Sequence, residues 1–306
     1  MEFGIIIHGG AWNIPDESKQ DHLNGVNAAC KLGNEMLADS RSAIDVVEAV
    51  VSLMEDDPTF DAGTGSFLNQ SGEVEMDAII ASQDFNLGSV CAIQNVKNPI
   101  KVARLVRDKS EHVMFAGRGA SEFAYANGIE KYSPESLLVG RELERYEALK
   151  SEITFSTKTP FKRQGMGTVG TVVLDKLGNF AIGVSTGGTA KKLAGRVGDT
   201  PLWGAGGYVT PQGGAAATGF GESLIKVLMT QRVVNYISQR NSAKEACIHS
   251  VADLDKFAEG LGGVIALSKD GFGLAFNTPR MAYAIQIEAG NRYTGIDPSD
   301  LMVLDQ

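Results

Sequence analysis

Cysteine, positive charge and long apolar runs are scarce in this chain, and each shortage excludes a class of protein. The three cysteines, Cys30, Cys91 and Cys247, are odd in number and show no Cys-x-x-Cys spacing. Neither a disulfide framework nor a thiolate zinc site is therefore indicated, and a reducing compartment is favoured. A formal net charge of −9 opposes binding to nucleic acid and to anionic membranes. We expect small molecules or further copies of the chain as partners.

Targeting signals and linkers are also missing from the sequence. Residues 1–7 lack a basic region, and their apolar run is too short for a signal peptide or a membrane span. No Pro/Ser-rich stretch divides the 306 residues, and α/β chains of this length often fold as one unit. We expect a single domain over residues 1–306 and a cytoplasmic location.

Hydrophobic periodicity predicts a mixture of helices and strands. Helices are predicted over residues 19–38, 43–55, 99–107, 120–126, 222–238 and 243–257, with Ser42 as the N-cap of the second. Strands are predicted over residues 1–7, 73–82, 88–94, 169–174, 180–184, 263–268, 273–278 and 282–287. The strand residues are nearly continuously apolar, which is typical of sheets buried on both faces. Periodicity alone predicts no more than an α/β or α+β fold.

One hairpin brings two threonines together. Thr168 precedes the strand at 169–174, a turn follows at 175–178, and the returning strand at 180–184 leads to Thr186. With a three-residue loop at 176–178, the ladder places Thr168 directly opposite Thr186. Because cross-strand partners have Cβ atoms about 4.5–5.5 Å apart, we expect the two hydroxyls to meet at the open end of the hairpin.

A threonine becomes a nucleophile when its own α-amine is free to act as a base. For Thr168 this requires cleavage of the bond to Gly167. Residues 150–165 are mostly polar and contain Pro160, which predicts a loop leading to that bond. The alternative interpretation of Thr168 is a strand residue chosen for its β-propensity.

Seven short motifs are spread over most of the chain. They are His-Gly-Gly at 8–10, Glu-Asp-Asp-Pro-Thr-Phe-Asp-Ala-Gly-Thr-Gly-Ser at 55–66, Gly-Glu-Val-Glu-Met-Asp-Ala at 72–78, Gly-Thr-Val-Gly at 167–170, Ser-Thr-Gly-Gly at 185–188, Gly-Arg-Val-Gly-Asp at 195–199 and Ala-Thr-Gly-Phe-Gly-Glu at 217–222. Together and in this order they resemble the plant-type (type 2) L-asparaginases/isoaspartyl aminopeptidases, which are self-cleaving N-terminal-nucleophile hydrolases. Each motif is weak alone, but the seven in order are specific.

The resemblance implies a fold, a processing event and an activity. The fold would be α+β, a four-layer αββα sandwich, cleaved into residues 1–167 and 168–306. The activity would be hydrolysis of β-aspartyl amide bonds in L-asparagine and isoaspartyl dipeptides, with no cofactor for catalysis. The family also suggests a dimer of cleaved heterodimers.

The resemblance assigns four catalytic residues. Thr168 matches the nucleophile, with the cleavage site between Gly167 and Thr168, and Thr186 matches a second threonine that hydrogen-bonds and tunes it. Thr218 and Gly219 match an oxyanion hole that also binds substrate, one through its hydroxyl and the other through its backbone N–H. Another interpretation of 218–219 is a strand end before a helix start.

Arg196 and Asp199 match the residues that bind the zwitterionic end of the substrate. A planar guanidinium binds a carboxylate through two hydrogen bonds, and an aspartate binds an ammonium. The alternative is an ion pair within the loop that only stiffens the turn.

A structural sodium ion is also implied by the resemblance. Main-chain oxygens suit hard cations, and the alternative is an acidic helix end without an ion. The matching loop residues are Met54, Glu55, Asp57, Phe60, Ala62 and Thr64. The glycines after His8 match a segment beside the cleavage site, for which the alternative is a turn with a hydrogen-bonded histidine.

Several positions depart from the family pattern. Asp61 replaces a common Asn, Trp12 lies in a segment of usually small residues, and Phe220 replaces Thr or His, so these three could reshape the pocket rim. Lys191 and Ala194 replace a frequent Asn and Pro.

Three other functions share parts of this sequence pattern. Ser185 lies in a Gly-x-Ser-x-Gly pattern, and His8-Gly9-Gly10 faintly resembles an esterase oxyanion motif. An esterase triad needs a later Asp and then a His, and His249, which follows Ser185, lies in a predicted helix. A glycosylasparaginase would share the Thr, Arg and Asp constellation. A binding protein that fails to process itself would give one intact chain.

Overall fold

The computed structural model describes residues 1–150 and 167–305. Most of the predicted loop at 150–165 lies outside the described residues. The described helices are α1 (Lys19–Ala38), α2 (Ala43–Asp56), α3 (Pro99–Lys109), α4 (Gly117–Ala126), α5 (Gly140–Lys150), α6 (Gly221–Val227), α7 (Met229–Ser238) and α8 (Ala243–Ala258), with 3-10 turns at Asp16–Ser18, Pro134–Leu137 and Pro298–Asp305.

The strands form two sheets, which makes the fold α+β. They are β1 (Gly4–Trp12), β2 (Met76–Ser82), β3 (Leu87–Ile93), β4 (Met114–Ala116), β5 (Val169–Leu174), β6 (Phe180–Thr186), β7 (Gly207–Thr210), β8 (Gly213–Gly219), β9 (Gly262–Ser268), β10 (Gly271–Phe276), β11 (Arg280–Ile287) and β12 (Arg292–Gly295).

Chain order and strand order differ in the larger sheet. Its eight strands run β12-β11-β1-β5-β6-β2-β3-β4, and only β3 and β4 pair in parallel. The smaller sheet runs β10-β9-β8-β7 with antiparallel pairing throughout. The N-terminal strand β1 thus lies between two strands from the second half of the chain.

Both faces of each sheet are covered. Helices α1, α2 and α3 contact the larger sheet, β7, β8 and β9 of the smaller sheet contact strands of the larger one, and α7 and α8 contact the smaller sheet. Successive side chains of a strand point to opposite faces of its sheet. In β1, Ile5 and Ile7 therefore pack in the cluster beneath α1 and α2, while Ile6 packs in the cluster between the sheets. The nearly continuous apolar strands therefore have two buried faces, as the sequence indicated.

Most predicted elements are present, with one helix wrongly predicted as continuous. Ser42 caps α2 by accepting the Asp45 N–H at 3.4 Å, as predicted. The helix predicted over 222–238 is instead α6 and α7, separated at Leu228, whose φ is 50°. Apolar periodicity continues through Leu228, so nothing in the sequence pattern marks the left-handed residue.

Cys30, Cys91 and Cys247 are free thiols and buried. Within residues 1–150 and 167–305, no helix has the length and apolar character needed to cross a membrane.

Candidate active site

Thr168 and Thr186 face each other at the open end of the β5–β6 hairpin. Val169 pairs with Ser185, which continues to the predicted register of Thr168 opposite Thr186. The Thr168 hydroxyl donates to the Thr186 hydroxyl with 3.1 Å between the oxygens, and Thr186 Oγ1 also accepts the Gly188 N–H at 3.0 Å. The predicted meeting of the two hydroxyls is confirmed.

The Gly167–Thr168 bond lies beside groups that can polarise it. The Asp61 N–H donates to the Gly167 carbonyl at 3.0 Å. A Cβ built on Gly167 would lie 3.6 Å from the Gly9 carbonyl and 3.7 Å from Trp12 Nε1, so the segment after His8 does lie beside this bond. Sequence reasoning missed the Asp61 N–H, because a main-chain donor leaves no signature in the residue type.

Thr218 and Gly219 end strand β8 on the opposite sheet. Thr218 Oγ1 accepts the Ala11 N–H at 3.4 Å, which leaves its own hydrogen available to a ligand. Gly219 has φ 146°, and a Cβ there would lie 2.4 Å from the Gly262 Cα, so only glycine fits this position.

One cleft brings the predicted catalytic and substrate-binding residues together. Its lining comprises Thr168, Thr186, Gly188, Arg196, Gly198, Asp199, Thr200, Thr218 and Gly219. These residues come from two sheets and the loop between β6 and β7. The cleft therefore combines a paired hydroxyl, a guanidinium, a carboxylate and two groups suited to bind an oxyanion.

Arg196 is paired with Glu222, contrary to the alternative of an ion pair within its own loop. Its Nε donates to Glu222 Oε1 and its Nη2 to Oε2, both at 2.9 Å. Glu222 is the second residue of α6, so the pair joins the loop to that helix. Sequence reasoning assigned Glu222 only to a helix start.

Asp199 is buried and carries an unused acceptor. Its Oδ2 has no hydrogen-bond partner among the residues that the structure describes. Burial raises the pKa of Asp199 to about 7, against the opposing charge of Arg196. The carboxyl is thus poised to gain a cationic partner.

Two acidic side chains of the 72–78 motif hold the loop that carries Arg196 and Asp199. The Gly195 N–H donates to both carboxylate oxygens of Glu75 at 3.0 Å, and the Gly198 N–H donates to Asp77 Oδ2 at 3.5 Å. Sequence reasoning identified this motif but did not predict its contacts with the loop. The only indication of them in the sequence is the pair of carboxylates at alternate positions, Glu75 and Asp77.

The predicted cation loop follows α2. Three main-chain oxygens of this loop already accept backbone N–H groups. The Met54 oxygen accepts from Asp57, the Glu55 oxygen from Thr64 and the Asp57 oxygen from Phe60. A Cβ on Gly65 would lie 2.6 Å from the Phe60 carbonyl oxygen, so this turn leaves room only for glycine. Phe60 and Ala62 are buried. No cluster of three or more His, Cys, Asp or Glu side chains suited to a metal occurs in the described part of the chain.

Two departures from the family pattern lie beside the Gly167–Thr168 bond. Asp61 and Trp12 are both nearly fully buried there. Asp61 Oδ1 accepts the Phe67 N–H at 2.9 Å, and burial raises the pKa of Asp61 well above its usual range.

The other departures from the family pattern lie elsewhere. Phe220 packs with Phe67 and Ala190. Lys191 is partly buried and Ala194 exposed in the loop after Gly188.

The serine esterase arrangement is not formed. Ser185 is fully buried in β6 of the larger sheet, whereas His249 lies on α8, which packs on the smaller sheet, and its ring contacts Tyr236. Burial lowers the pKa of His8 to about 3, and its ring lies against Gly170 of β5.

Comparison with known proteins gives matches over nearly the whole chain. A family profile described as asparaginase matches residues 1–296. The isoaspartyl peptidase/L-asparaginase of Bos taurus is 39% identical over 305 residues, and that of Homo sapiens is 40% identical over 304, each covering 98% of both chains. The isoaspartyl peptidase of Escherichia coli (strain K12) is 36% identical over 305 residues, covering 95% of both. The chain therefore belongs to the asparaginase family of N-terminal-nucleophile hydrolases.

Proposed function

We propose that this protein hydrolyses β-aspartyl amide bonds, in L-asparagine and in isoaspartyl dipeptides, with Thr168 as an N-terminal nucleophile. The observation that carries the proposal is the 3.1 Å contact between the Thr168 and Thr186 hydroxyls in a cleft shared with Arg196 and Asp199. The names of the three relatives support this substrate class.

Self-cleavage would generate the nucleophile and the fragments 1–167 and 168–306. The Thr168 oxygen attacks the Gly167 carbonyl carbon, while the Asp61 N–H stabilises the developing oxyanion. The peptide bond breaks, its nitrogen takes a proton, and an ester joins Gly167 to Thr168. Water then hydrolyses this ester, which leaves a Gly167 carboxylate and a Thr168 with a free amine and hydroxyl.

Turnover would use the same oxygen. The α-amine of Thr168, with an ordinary pKa of about 7.7–8.0, removes the hydroxyl proton as that oxygen attacks the side-chain amide of the substrate. The Thr218 hydroxyl and the Gly219 N–H bind the oxyanion. Ammonia or the amine product leaves with a proton, and water hydrolyses the aspartyl ester. All steps use groups of this chain, the substrate and water.

Substrate orientation follows from the charges of the cleft. The Arg196 guanidinium binds the α-carboxylate and the buried Asp199 carboxylate binds the α-ammonium. Only a β-linked aspartyl unit presents both free groups, so its side-chain amide faces Thr168. An α-aspartyl dipeptide lacks the free α-carboxylate.

Three further features complete the proposal. Contacts of the helices with the outer sheet faces, and of the sheets with each other, support a four-layer αββα arrangement. The carbonyl oxygens of Phe60 and Pro58 converge near Gly65, and such oxygens would hold a structural sodium ion in the 54–64 loop. The family resemblance supports a dimer of cleaved heterodimers, and the three free cysteines favour a reducing, cytoplasmic location.

The test combines chain integrity with substrate choice. Wild-type protein should separate on a denaturing gel into fragments 1–167 and 168–306, with Thr168 at the N-terminus of the second, whereas Thr168→Ala should stay whole. The wild type should release ammonia from L-asparagine and cleave a β-aspartyl dipeptide but not its α-aspartyl isomer. An intact wild-type chain would indicate a binding protein, and preference for glycosylasparagine would indicate a glycosylasparaginase. Loss of activity in Ser185→Ala, but not Thr168→Ala, would indicate an esterase.

A further inference from the structure

We infer that Glu222 is a positioning residue that holds Arg196 in the orientation required to bind the substrate carboxylate. This inference rests on the proposed function and adds a residue to it. Glu222 binds the guanidinium through two parallel hydrogen bonds of 2.9 Å, the geometry in which a carboxylate fixes an arginine most firmly.

The pairing occupies one edge of the guanidinium and leaves another for a ligand. Nε and Nη2 donate to Glu222, whereas Nη1 has no hydrogen-bond partner in the described residues. A Cβ built on Gly198 would lie 2.8 Å from Nη1, and Gly198 lines the cleft. The unused edge of Arg196 is therefore next to the cleft wall.

Gly221 brings the helix start close to both substrate-binding side chains. A Cβ on Gly221 would lie 2.8 Å from Arg196 Nη2 and 3.0 Å from Asp199 Oδ1. No larger residue fits without moving one of them. Glu222 follows directly, so the segment from Thr218 to Glu222 carries both the proposed oxyanion donors and the support of the arginine.

The charge state and exposure of the pair suit a supporting role. Burial opposes ionisation, but the hydrogen bond and charge of Arg196 hold the pKa of Glu222 below its ordinary value. The Arg196 side chain is 17% exposed and that of Glu222 is 41% exposed, so the arginine is the more enclosed partner. Without Glu222, the long arginine side chain would regain several rotamers, and ordering it again would weaken substrate binding.

A purely structural role for Glu222 makes a different prediction. An acidic residue in the first turn stabilises a helix through its dipole, and loss of that effect would lower stability without regard to the substrate. A positioning role requires that the loss depend on the substrate carboxylate and on the presence of Arg196.

The experiment uses Glu222→Ala, Glu222→Gln, Arg196→Ala and the double variant Glu222→Ala/Arg196→Ala. Each is assayed for kcat and KM on L-asparagine and on the same substrate with its α-carboxylate blocked as an amide. The matched control is Asp253→Asn, which breaks the Arg232–Asp253 ion pair on α7 and α8, away from the cleft. Self-cleavage on a denaturing gel reports that each variant has folded with its nucleophile intact.

At metal sites, removing the partner that orients a ligating side chain costs about 10- to 100-fold, and we take the same scale for Arg196. We expect Glu222→Ala to lose that much in kcat/KM on L-asparagine, mainly through KM, and less than about threefold on the blocked substrate. Glu222→Gln should recover part of the loss, because its carbonyl still accepts one of the two hydrogen bonds. Glu222→Ala should add little in the Arg196→Ala background. The control should match the wild type.

Three results would overturn the inference. They are equal losses on both substrates, an undiminished loss in the Arg196→Ala background, or wild-type kinetics in Glu222→Ala. The assays of the wild type distinguish failure of this inference from failure of the proposed function. A wild type that is inactive on L-asparagine contradicts both. If the wild type is active and Arg196→Ala keeps its full activity, Arg196 does not bind the substrate carboxylate. That result contradicts the inference but not the proposed hydrolysis of β-aspartyl amide bonds.

Discussion

At the scale of single residues, the cleft threonines Thr186 and Thr218 differ in what their hydroxyls already bind. Thr186 accepts two hydrogen bonds, one of them from Thr168 itself, whereas Thr218 accepts one from Ala11 and faces Thr168 from the other sheet. Thr186 is thus coupled to the proposed nucleophile Thr168, and Thr218 is available for the proposed role of oxyanion donor.

This difference predicts separate effects of two Thr→Val variants. Thr186→Val should slow both self-cleavage and turnover, because both steps use the Thr168 oxygen. Thr218→Val should lower kcat by about 10²–10³ while self-cleavage proceeds, because one oxyanion donor is lost. Gel time courses and kcat measure the two effects. Thr171→Val is the control, since its buried hydroxyl donates to the Ile6 carbonyl outside the cleft. Near-normal turnover in both cleft variants would contradict the proposed site.

Asp199 predicts how substrate binding depends on pH. Its pKa is raised to about 7 by burial, and the negative charges of Glu222 and Asp77 add to that effect. As the pH falls through about 7, the carboxyl becomes neutral and loses its attraction for the substrate ammonium. We expect KM for L-asparagine to rise by up to about tenfold per pH unit below that point. KM profiles of the wild type and Asp199→Asn measure this, and identical profiles would refute it.

The sequence predicts some site contacts well and others not at all. The Thr168–Thr186 contact follows from loop length, because a tight turn fixes the register of every pair behind it. The Arg196 partner does not follow from any local pattern. Asp199 is three residues away, whereas Glu222 reaches Arg196 only because β8 and α6 pack beside the loop.

At the scale of elements, the Glu55 side chain connects two helices. It lies near the end of α2, and its Oε1 accepts the N–H of Ile100, at the start of α3, at 3.0 Å. The first N–H groups of a helix lack partners within the helix, so this contact fills one of them. Burial raises the pKa of Glu55 to about 8, and the carboxyl is therefore neutral at pH 7.

The raised pKa predicts a stability change with pH. The folded protein keeps the Glu55 proton up to about pH 8, whereas an unfolded glutamate loses it near its ordinary value of 4.5. The stability from the neutral group is complete below about 4.5 and is lost as the pH rises through about 8. Glu55→Gln keeps a neutral acceptor, so its melting temperature should match the wild type at pH 4.5 and exceed it at pH 9. An equal difference at both values would contradict this.

Strand β8 is an element that sequence reasoning missed for a physical reason. Strand β8 reads Gly-Gly-Ala-Ala-Ala-Thr-Gly, a composition with low β-propensity, and forms because its small residues fit between the larger sheet and α7. The sequence pattern predicts no strand there, apart from the strand end that is one interpretation of residues 218–219. By contrast, α1 and α2 were predicted almost to the residue, since their apolar periodicity and the Ser42 cap are local signals.

At the scale of the whole molecule, the proposed cleavage divides strands that remain neighbours. Strands β1 to β4 belong to residues 1–167, and β5 to β12 belong to residues 168–306. In the larger sheet, three pairings join the two fragments: β11 with β1, β1 with β5, and β6 with β2.

The strand order predicts that cleavage does not release the fragments. The cleaved wild type should elute from a sizing column as one species containing both. After full denaturation, its refolding yield should rise with protein concentration, whereas Thr168→Ala should refold independently of concentration. Activity and near-UV circular dichroism give the yields for the wild type, and dichroism alone gives that of the variant. Early separation of the fragments on the column would contradict the prediction.

The position of β1 between β11 and β5 means that the proposed cleavage would make refolding a different kinetic process from the first folding. One continuous chain builds the sheet as a first-order process, and the proposed cleavage would then remove the covalent link on which that process relies. Reassembly of the separated halves is second order and is governed by mass action. At low protein concentration, the lifetime of the cleaved protein would then be set by the barrier to unfolding rather than by an equilibrium with its separated fragments.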